Sequence, residues 1–445
     1  MASSRQVAAV EFSPRTDAFD PADMKRRVRA ILLGSMGNLI EWYDVYAYAA
    51  FSLYFAASFF PNSDPVAQQL STSVIFAAGF IARPFGGLLF GHIADRYGRR
   101  NALTWSVLLM CFGSLLIGVT PTYATIGVGA PLVLTVARIL QGVSQGGEYG
   151  TSATYLCEVA HPERRGFYSG VWYMTLIGGQ LSAIALLLVL QKLVLTPEQL
   201  REWGWRIPFV IGALLAVYTS MMRRDMHESD HFTQTAAAKV DAGLGVILRH
   251  WKAMLLVVGV TVGGTSAFYT YTTYMQKFLK LSVGLTDDRT TLVVTISLVV
   301  AIVLQPLYGA LSDKIGRKPM LVGFGLLGTI LTYPLLATLQ ATKSAVVATL
   351  LICGAWMIVS GYTSIAAVIK AELFPTNVRA LGVGLPYALT VSVFGGTVDS
   401  VALTFKNAGH ERWFFWYATV CIAVSLAFYL AMPDTRRASR MEHHA

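Results

Sequence analysis

Blocks of about 18 or more predominantly apolar residues recur along the chain, each bounded by Arg or Lys. Blocks of this length cross the hydrocarbon core of a bilayer as α-helices, which needs about 20 residues. Only 13% of the 445 residues are charged, whereas soluble domains carry about a quarter. A soluble fold would lack the polar surface to cover itself, so the sequence predicts an all-α membrane protein with many spans.

Hydropathy windows of about 20 residues place twelve transmembrane helices. We expect them near residues 30–60, 71–92, 101–121, 128–155, 166–192, 205–222, 253–278, 291–311, 319–340, 345–369, 381–403 and 412–432. The connection 223–252 is the longest, and it is charged and polar. It therefore predicts a linker between a six-helix bundle over 30–222 and a second one over 253–432, with tails at 1–29 and 433–445.

The distribution of Lys and Arg predicts the orientation. Of the 35 basic residues, 24 lie in the two tails and in the connections on their side, 9 lie on the opposite side and 2 in the membrane interior. The positive-inside rule makes the richer side cytoplasmic. Residues 1–29 lack the apolar core of a secretory signal, so we expect an uncleaved cytosolic tail and both termini in the cytoplasm.

Several function classes lack sequence support. The net charge of +10 is dispersed between apolar blocks and forms no continuous basic face for nucleic acid. The four cysteines lie singly, without metal-ligand spacing. The sequence has no phosphate-binding loop and no nucleophile beside a base. We therefore expect no cofactor, no metal, no nucleic-acid partner and no enzymatic activity.

Two motifs occur once in each half of the chain. The loop 91–100 matches the loop 309–318, and the pair Glu158 and Arg165 matches Glu372 and Arg379. The offsets of the two matches are nearly equal, which indicates a duplication.

The duplicated loops predict a cytoplasmic gate between moving helices. Glycine permits the tight reversal, and the Asp can pair with a neighbouring Arg or lie against a helix N-terminus. The alternative is that these charges only fix the topology. The predicted gate residues are Gly91, Asp95, Arg96, Gly98, Arg99, Glu158, Arg165, Asp313, Gly316, Arg317, Glu372 and Arg379.

Two helices carry polar stripes that we expect to face a central cavity. The first consists of Asn38, Glu41, Asp44 and Tyr48, and the second of Arg138, Gln141, Gln145 and Glu148. Their spacings of three and four residues place each stripe along one helix face. Ionisable residues within spans are functional candidates by default.

Arg83 and Arg138 are the two cations that the predicted spans place inside the membrane. Arg83 lies 12 residues before Asp95, about 18 Å along a helix from the cytoplasmic turn. The guanidinium fork binds a carboxylate through two parallel hydrogen bonds, so we predict that both arginines contact an anionic substrate. The alternatives are that Arg138 pairs with Asp44, or that the pair only holds the bundle together.

The second half offers further candidates. Tyr274 and Lys277 lie toward the periplasmic end of the seventh span and supply a hydroxyl and a second anion contact. For the tyrosine, the alternative is the interfacial aromatic belt. Asp399 lies deep in the eleventh span, as a partner or a second proton site.

The twelve spans, duplicated loops and linker resemble the major facilitator superfamily. Within it, segments 37–46, 83–87 and 141–150 resemble the metabolite:proton symporter family, and segments 147–155, 201–209, 274–277 and 378–384 resemble its alpha-ketoglutarate branch. This resemblance implies symport of 2-oxoglutarate with protons across the bacterial inner membrane by a functional monomer. Citrate, a C4-dicarboxylate or shikimate are the alternatives. In related facilitators an acid on the first span and an Arg on the fourth form the proton site.

The charge of such a substrate sets the proton number. Entry of a dianion with one proton moves negative charge inward against about 2.3 kcal/mol per 100 mV, whereas one pH unit returns about 1.36 kcal/mol per proton. We therefore expect at least two protons per dianion, carried by two of Glu41, Asp44, Glu148 and Asp399.

Overall fold

The computed structural model describes residues 21–61, 63–97, 99–146, 160–224, 249–375 and 378–436. All regular secondary structure in these ranges is helical. Eight of the described helices are long and apolar enough to cross a membrane, and two shorter apolar ones cover Thr104–Val119 and Gly204–Tyr218. The prediction of an all-α membrane protein is confirmed.

The described residues hold a helix at each of the twelve predicted places. In the first bundle these are α1 (Pro21–Phe59), α2 (Pro65–Tyr97), α3 (Arg99–Val119), α4 (Gly129–Gln145), α5 (Arg165–Val189) and α6 (Ile207–Arg224). In the second they are α7 (Trp251–Tyr269), α8 (Asp287–Ile315), α9 (Arg317–Ala341), α10 (Ala345–Thr363), α11 (Arg379–Phe394) and α12 (Arg412–Ala431). Short helices Tyr123–Ile126 and Pro197–Glu202 lie in the connections.

Several helices are longer than the hydropathy windows predict. The first helix begins at Pro21 rather than near residue 30, so residues 21–29, which the sequence predicts as part of the cytosolic tail, are helical. Proline suits the first turn because its missing N–H has no intrahelical partner there. Hydropathy detects only the apolar part of a helix, and charged turns that continue beyond it are not counted.

Three spans of the second bundle are interrupted. The seventh continues from α7 through π-helical turns at Thr270–Tyr274 and Leu279–Val283, beyond the predicted end at 278. The tenth resumes after residues 364–365 as Ala366–Glu372, and the eleventh resumes after Gly395, Gly396 and Thr397. Interruptions of this kind mark functional positions in transporter helices.

Glycines bring α2 and α4 into close contact and so fix the depth of Arg83. A Cβ atom at Gly142 would lie 1.8 Å from the Gly79 carbonyl oxygen, and one at Gly146 would lie 1.9 Å from that of Arg83. No larger residue fits these positions. Small residues at such crossings are the usual means of close helix packing in membranes.

The two bundles meet along α5 and α8. A Cβ atom at Gly309 would lie 2.3 Å from the Gly166 carbonyl oxygen, and one at Gly170 would lie 2.3 Å from that of Gln305. A second contact joins α2 and α11, where the Ser392 hydroxyl donates to the Phe80 carbonyl at 2.5 Å. The functional side chains lie between these two seams.

Candidate functional site

Asp44 and Arg138 are connected through a third side chain. Asp44 is 1% exposed and accepts hydrogen bonds from the Ser114 hydroxyl and, at 2.6 Å, from Gln141 Nε2. Arg138 Nη1 donates to Gln141 Oε1 at 2.8 Å. Gln141 therefore lies between the acid of α1 and the cation of α4, which join through an amide rather than a direct ion pair.

Aromatic rings enclose the Arg138 guanidinium. Its carbon lies 4.6 Å from the Tyr48 ring centre and 4.9 Å from that of Phe76. The Tyr48 hydroxyl donates to the Thr72 carbonyl at 3.0 Å, so Tyr48 presents its ring to Arg138. These contacts stabilise a buried cation.

Arg83 occupies a different environment nearer the second bundle. Its guanidinium carbon lies 3.7 Å from the Phe80 ring centre and 5.2 Å from that of Trp42. Its Nη2 donates to Gln145 Oε1 at 2.8 Å, while its buried Nε makes no hydrogen bond to any residue that the structure describes. An unsatisfied buried donor is unfavourable, so this guanidinium retains capacity for an anion.

The rest of the predicted α1 stripe is also buried. Asn38 donates to the Thr175 hydroxyl at 3.0 Å and accepts from Trp42 Nε1 at 3.0 Å, which joins α1 to α5. Glu41 is 9% exposed. Glu148, the last member of the α4 stripe, lies outside the described residues.

A cluster of tyrosines lies between Arg83 and the second bundle. Tyr46 lies within electrostatic range of Arg83, Tyr269 and Tyr387. The buried hydroxyl of Tyr46 makes no hydrogen bond in the described part of the chain. The Phe80 ring, which contacts Arg83, also packs edge-on against Tyr269 of α7 with 5.4 Å between the ring centres, so aromatic side chains of both bundles lie near Arg83.

Lys370 is a buried cation that the sequence does not predict. It falls between the predicted spans 345–369 and 381–403, and so among the 24 basic residues on the cytoplasmic side, but the structure buries it at 1% exposure in Ala366–Glu372. Its Nζ lies 4.1 Å from the Tyr387 ring centre and 5.7 Å from that of Tyr362. Lys370 lies only two residues before Glu372, which is predicted to belong to the cytoplasmic gate. The sequence therefore gives no indication that Lys370 is buried.

Lys277 and Asp399 are partners. Lys277 Nζ lies 2.6 Å from Asp399 Oδ2, and the Thr273 hydroxyl donates to Asp399 Oδ1 at 2.7 Å. The same ammonium donates to the Ser73 hydroxyl of α2 at 2.9 Å. This buried group therefore bridges the two bundles.

Tyr274 lies in a separate polar network. Its hydroxyl donates to Glu411 Oε1 at 3.3 Å, and Gln340 donates to the other oxygen of that carboxylate at 2.7 Å. The Ser282 hydroxyl also donates to Glu411. The structure thus places Tyr274 in a network with Glu411, Gln340 and Ser282 of the second bundle.

Asp313 connects the second bundle to the first at the predicted gate. It accepts hydrogen bonds from the backbone N–H groups of Gly166 and Phe167, both at 2.8 Å. It also lies 2.7 Å from Arg317 Nη1. Both predicted roles, pairing with an Arg and lying against a helix N-terminus, are realised in this one carboxylate.

Further predicted gate residues surround Arg317. Its Nη2 lies 3.7 Å from Glu372, while Arg165 lies within electrostatic range of the same carboxylate. Gly316 has φ +101°, a conformation that favours glycine. Arg379 Nε donates to the Phe374 carbonyl at 3.2 Å. Glu158 and the side-chain environments of Gly91, Asp95, Arg96, Gly98 and Arg99 lie outside what the structure describes.

The bundles also touch at the opposite end. Lys192 pairs with Asp288, and Arg201 Nη2 lies 3.5 Å from Asp287. Gln276 donates to the Ala50 carbonyl at 3.2 Å. The described residues therefore connect the two bundles at both ends.

The cavity of about 560 Å³ beside α12 is not the polar site. Aromatic and aliphatic side chains line it, among them Phe394, Trp413 and Trp416, and it opens to the outer face of the bundle. The described residues contain no group of three or more His, Cys, Asp or Glu side chains that could hold a metal ion.

The sequence of this chain matches a known family of transporters. The family model described as sugar (and other) transporter matches residues 30–245 and 239–444. The alpha-ketoglutarate permease of Escherichia coli strain K12 is 47% identical over 420 residues, which cover 94% of this chain and 97% of that protein. The citrate-proton symporter of Klebsiella pneumoniae is 33% identical over 406 residues, covering 89% and 90%.

Solved structures share the fold. The crystal structure of the D-xylose-proton symporter aligns with TM-score 0.74 at 20% identity, covering 91% of this chain and 98% of that one. A partially occluded inward-open form of the Escherichia coli xylose transporter aligns with TM-score 0.69 at 19% identity, covering 91% and 97%.

Proposed function

The chain belongs to the sugar (and other) transporter family of the major facilitator superfamily, and from this premise we propose that it is a symporter that imports 2-oxoglutarate together with protons. The permease that is 47% identical over nearly its whole length bears the name of this substrate. The observation that carries the proposal is the buried guanidinium of Arg83, whose Nη2 is held by Gln145 and whose Nε makes no hydrogen bond to a described residue.

Arg83 is the first anion contact. Its Nη2 is held by Gln145 and its ring contacts fix the guanidinium plane, so binding loses little side-chain entropy. A carboxylate accepting from Nε would satisfy the remaining donor, and charge-assisted hydrogen bonds of this kind are short and strong. Arg138 Nη1 is held by Gln141 in the same way, and its Nε also lacks a hydrogen-bond partner among the described residues, but its ring contacts with Tyr48 and Phe76 lie within the first bundle.

Asp44 is the proton carrier of the first bundle. It is buried, and its described hydrogen-bond donors, Ser114 and Gln141, are neutral. Arg138 acts on it through Gln141. A change of charge on Asp44 therefore reorients the Gln141 amide, and through it the guanidinium beside the site. Asp399, Glu41 and Glu148 are the remaining candidates for a second proton.

Transport proceeds by alternating access, in which two bundles rock about a midplane site. The contacts of Asp313 with α5 close one end, and those of Lys192 and Lys277 close the other. Each set must open in turn. The end that Asp313 closes is cytoplasmic, since it carries the duplicated basic loops. The protein functions as a monomer in the bacterial inner membrane, and both of its termini lie in the cytoplasm.

Two protons accompany each dianion. With two, the entry step is electroneutral, and one unit of pH gradient supplies about 2.7 kcal/mol, twice the value for one proton. With one, a membrane potential of 100 mV opposes uptake by about 2.3 kcal/mol. Clamping voltage across proteoliposomes tests this number, and inward negative current during uptake contradicts it.

Uptake of labelled 2-oxoglutarate into proteoliposomes with an imposed pH gradient tests the function. We expect accumulation that a protonophore abolishes, and competition by 2-oxoglutarate stronger than by citrate, succinate, shikimate or betaine. Arg83→Gln should lower uptake at least tenfold, and Arg412→Gln, at an exposed cation, should not. Full accumulation after neutralising both Arg83 and Arg138 would overturn the proposal.

Citrate is the alternative substrate, because the second relative named above is a citrate-proton symporter. Its third carboxylate would require a further cation beside Arg83. Stronger competition by citrate than by 2-oxoglutarate would favour this alternative.

A further inference from the structure

We propose that Phe80 is a positioning residue through which the second bundle sets the orientation of Arg83, so that the anion site is fully formed only when α2 and α11 are in contact. This inference rests on the proposed function and deepens it, because it names the residue that couples substrate binding to contact between the bundles.

The Phe80 ring lies directly against the Arg83 guanidinium. The guanidinium carbon is 3.7 Å from the centre of this ring, whereas it is 5.2 Å from the centre of the Trp42 ring. The face of an aromatic ring attracts a cation at such distances. Phe80 precedes Arg83 by three residues, so both side chains lie on one face of α2. A shift of the Phe80 ring therefore displaces or releases the guanidinium.

The second bundle encloses Phe80. The side chain is 0% exposed, and its ring packs edge-on against Tyr269 of α7 with 5.4 Å between the ring centres. Its carbonyl accepts the Ser392 hydroxyl of α11 at 2.5 Å. A Cβ atom at Gly396, in the interruption of the eleventh span, would lie 2.4 Å from the Phe80 Cβ. Side chain and backbone of the second bundle thus fix the position of Phe80.

Other contacts of Arg83 belong to the first bundle. Gln145 Oε1 accepts from Nη2 at 2.8 Å, and the Trp42 indole is itself fixed by a hydrogen bond to Asn38. These groups stay with Arg83 when the bundles move apart, whereas Phe80 loses its support from the second bundle. The guanidinium is then less firmly held, although no contact within the first bundle has changed.

The affinity of Arg83 for an anion therefore depends on contact between α2 and α11. Ordering one long side chain on binding lowers the affinity by about two- to tenfold, and a guanidinium that Phe80 already holds avoids this loss. Coupling of this kind is reciprocal. A substrate that binds more tightly when α2 and α11 touch stabilises their contact to the same extent, even if it touches only the first bundle.

A double-mutant cycle in binding tests this route. The Kd of labelled 2-oxoglutarate is measured at equilibrium on the purified full chain in detergent. We expect Phe80→Leu, which removes the ring, and Gly396→Ala, which displaces it, each to raise this Kd about fivefold. Independent effects would multiply to about 25-fold in the double variant. We expect less than tenfold, because both changes act through one ring.

Two matched variants serve as controls. Gly354→Ala adds a Cβ atom to the second bundle at a position with nothing within 4 Å, and Phe85→Leu removes an exposed ring from α2. Each should change the Kd less than twofold. Effects of Phe80→Leu and Gly396→Ala that multiply fully in the double variant overturn the inference.

The distance between the bundles supplies a readout that a purely structural role of Phe80 would leave unchanged. Spin labels are placed at the exposed residues Ser63 and Asn407 in a background in which the native cysteines are replaced by serine. Saturating 2-oxoglutarate should increase the fraction of short distances at least twofold with Phe80 present. In Phe80→Leu, saturated at its own higher Kd, the fraction should not change. An equal increase in Phe80→Leu overturns the inference.

Ser392→Ala decides if Phe80→Leu does not elute as a folded monomer in detergent. It keeps the ring but removes the hydroxyl that binds the Phe80 carbonyl, so we expect a Kd about threefold higher and a smaller increase in short distances. A Kd and a distance change equal to those of the wild type contradict the inference. Failure of the wild-type protein to bind 2-oxoglutarate contradicts the proposed function instead, so the two failures are distinct.

Discussion

Lys277 and Asp399 form an ion pair of 2.6 Å with both side chains at most 2% exposed, and the Lys277 ammonium also donates to Ser73 of the other bundle. One cation therefore neutralises a buried acid and holds the bundles together. Opening of the transporter at this end, which lies opposite the contacts of Asp313 with α5, must separate Lys277 from Ser73. Because the two contacts share one ammonium, we expect removal of the Asp399 carboxylate to weaken the contact between the bundles as well.

Removing one member of this pair should be worse than removing both. Lys277→Met alone leaves the buried Asp399 carboxylate without its partner, and Asp399→Asn alone leaves the buried Lys277 ammonium without its partner. Either change costs about 3–5 kcal/mol of folding stability. We expect each single variant to lower the melting temperature in detergent and to lose transport. The double variant should recover stability, together with substrate exchange at equal pH. A double variant as unstable as the singles would show that the pair is not the reason for the loss.

Asp44→Asn should separate exchange from accumulation. The amide keeps hydrogen bonds with Ser114 and Gln141 but cannot carry a proton. Exchange of labelled for unlabelled 2-oxoglutarate should stay within about threefold of wild type, while accumulation driven by a pH gradient should fall at least tenfold. Ser114→Ala is the matched control, because it removes one donor and keeps the acid. Loss of exchange and accumulation to the same extent would assign Asp44 a structural role.

The fold could be predicted from the sequence because the bilayer imposes a simple rule. A span must be apolar over about 20 residues, and the helices occur at every predicted place. Their ends could not be predicted in the same way, since Pro21 begins a helix whose first turns are charged and Val283 ends one that π-helical turns extend. Beyond the hydrocarbon, backbone hydrogen bonding rather than hydropathy decides where a helix stops.

The site could be predicted only in part. Spacing along one helix identifies the face of Asp44 or Gln141, but the pairing of Lys277 with Asp399, 122 residues apart, depends on how helices cross. The counting of basic residues also misplaced Lys370. From its position along the sequence, a lysine two residues from the acid of a cytoplasmic motif is counted as an exposed loop residue. In the structure, the interruption of the tenth span places this lysine in the interior.

Gly309→Ala should open the end of the transporter at which α5 and α8 meet. The added Cβ would lie 2.3 Å from the Gly166 carbonyl oxygen, so backbone must move and Asp313 would lose its contacts with α5. Spin labels at the exposed residues Glu163 and Lys314 should report a longer distance, with transport reduced at least fivefold. Gly323→Ala is the control, since nothing lies within 4 Å of its Cβ position. Equal distances in both variants would mean that close packing there does not set the conformation.

A covalent link at the opposite end should stop transport. Lys192 pairs with Asp288 across the two bundles, and an exposed pair of this kind contributes only about 0–1 kcal/mol, so Asp288→Ala alone should change the uptake rate less than threefold. In a background in which the native cysteines are replaced by serine, Lys192→Cys with Asp288→Cys should form a disulfide on mild oxidation. Uptake should then fall at least tenfold and return with a reductant, because this end can no longer open. Each single cysteine variant, oxidised alike, should retain uptake. Undiminished transport by the fully cross-linked protein would contradict a cycle in which the two bundles separate at this end.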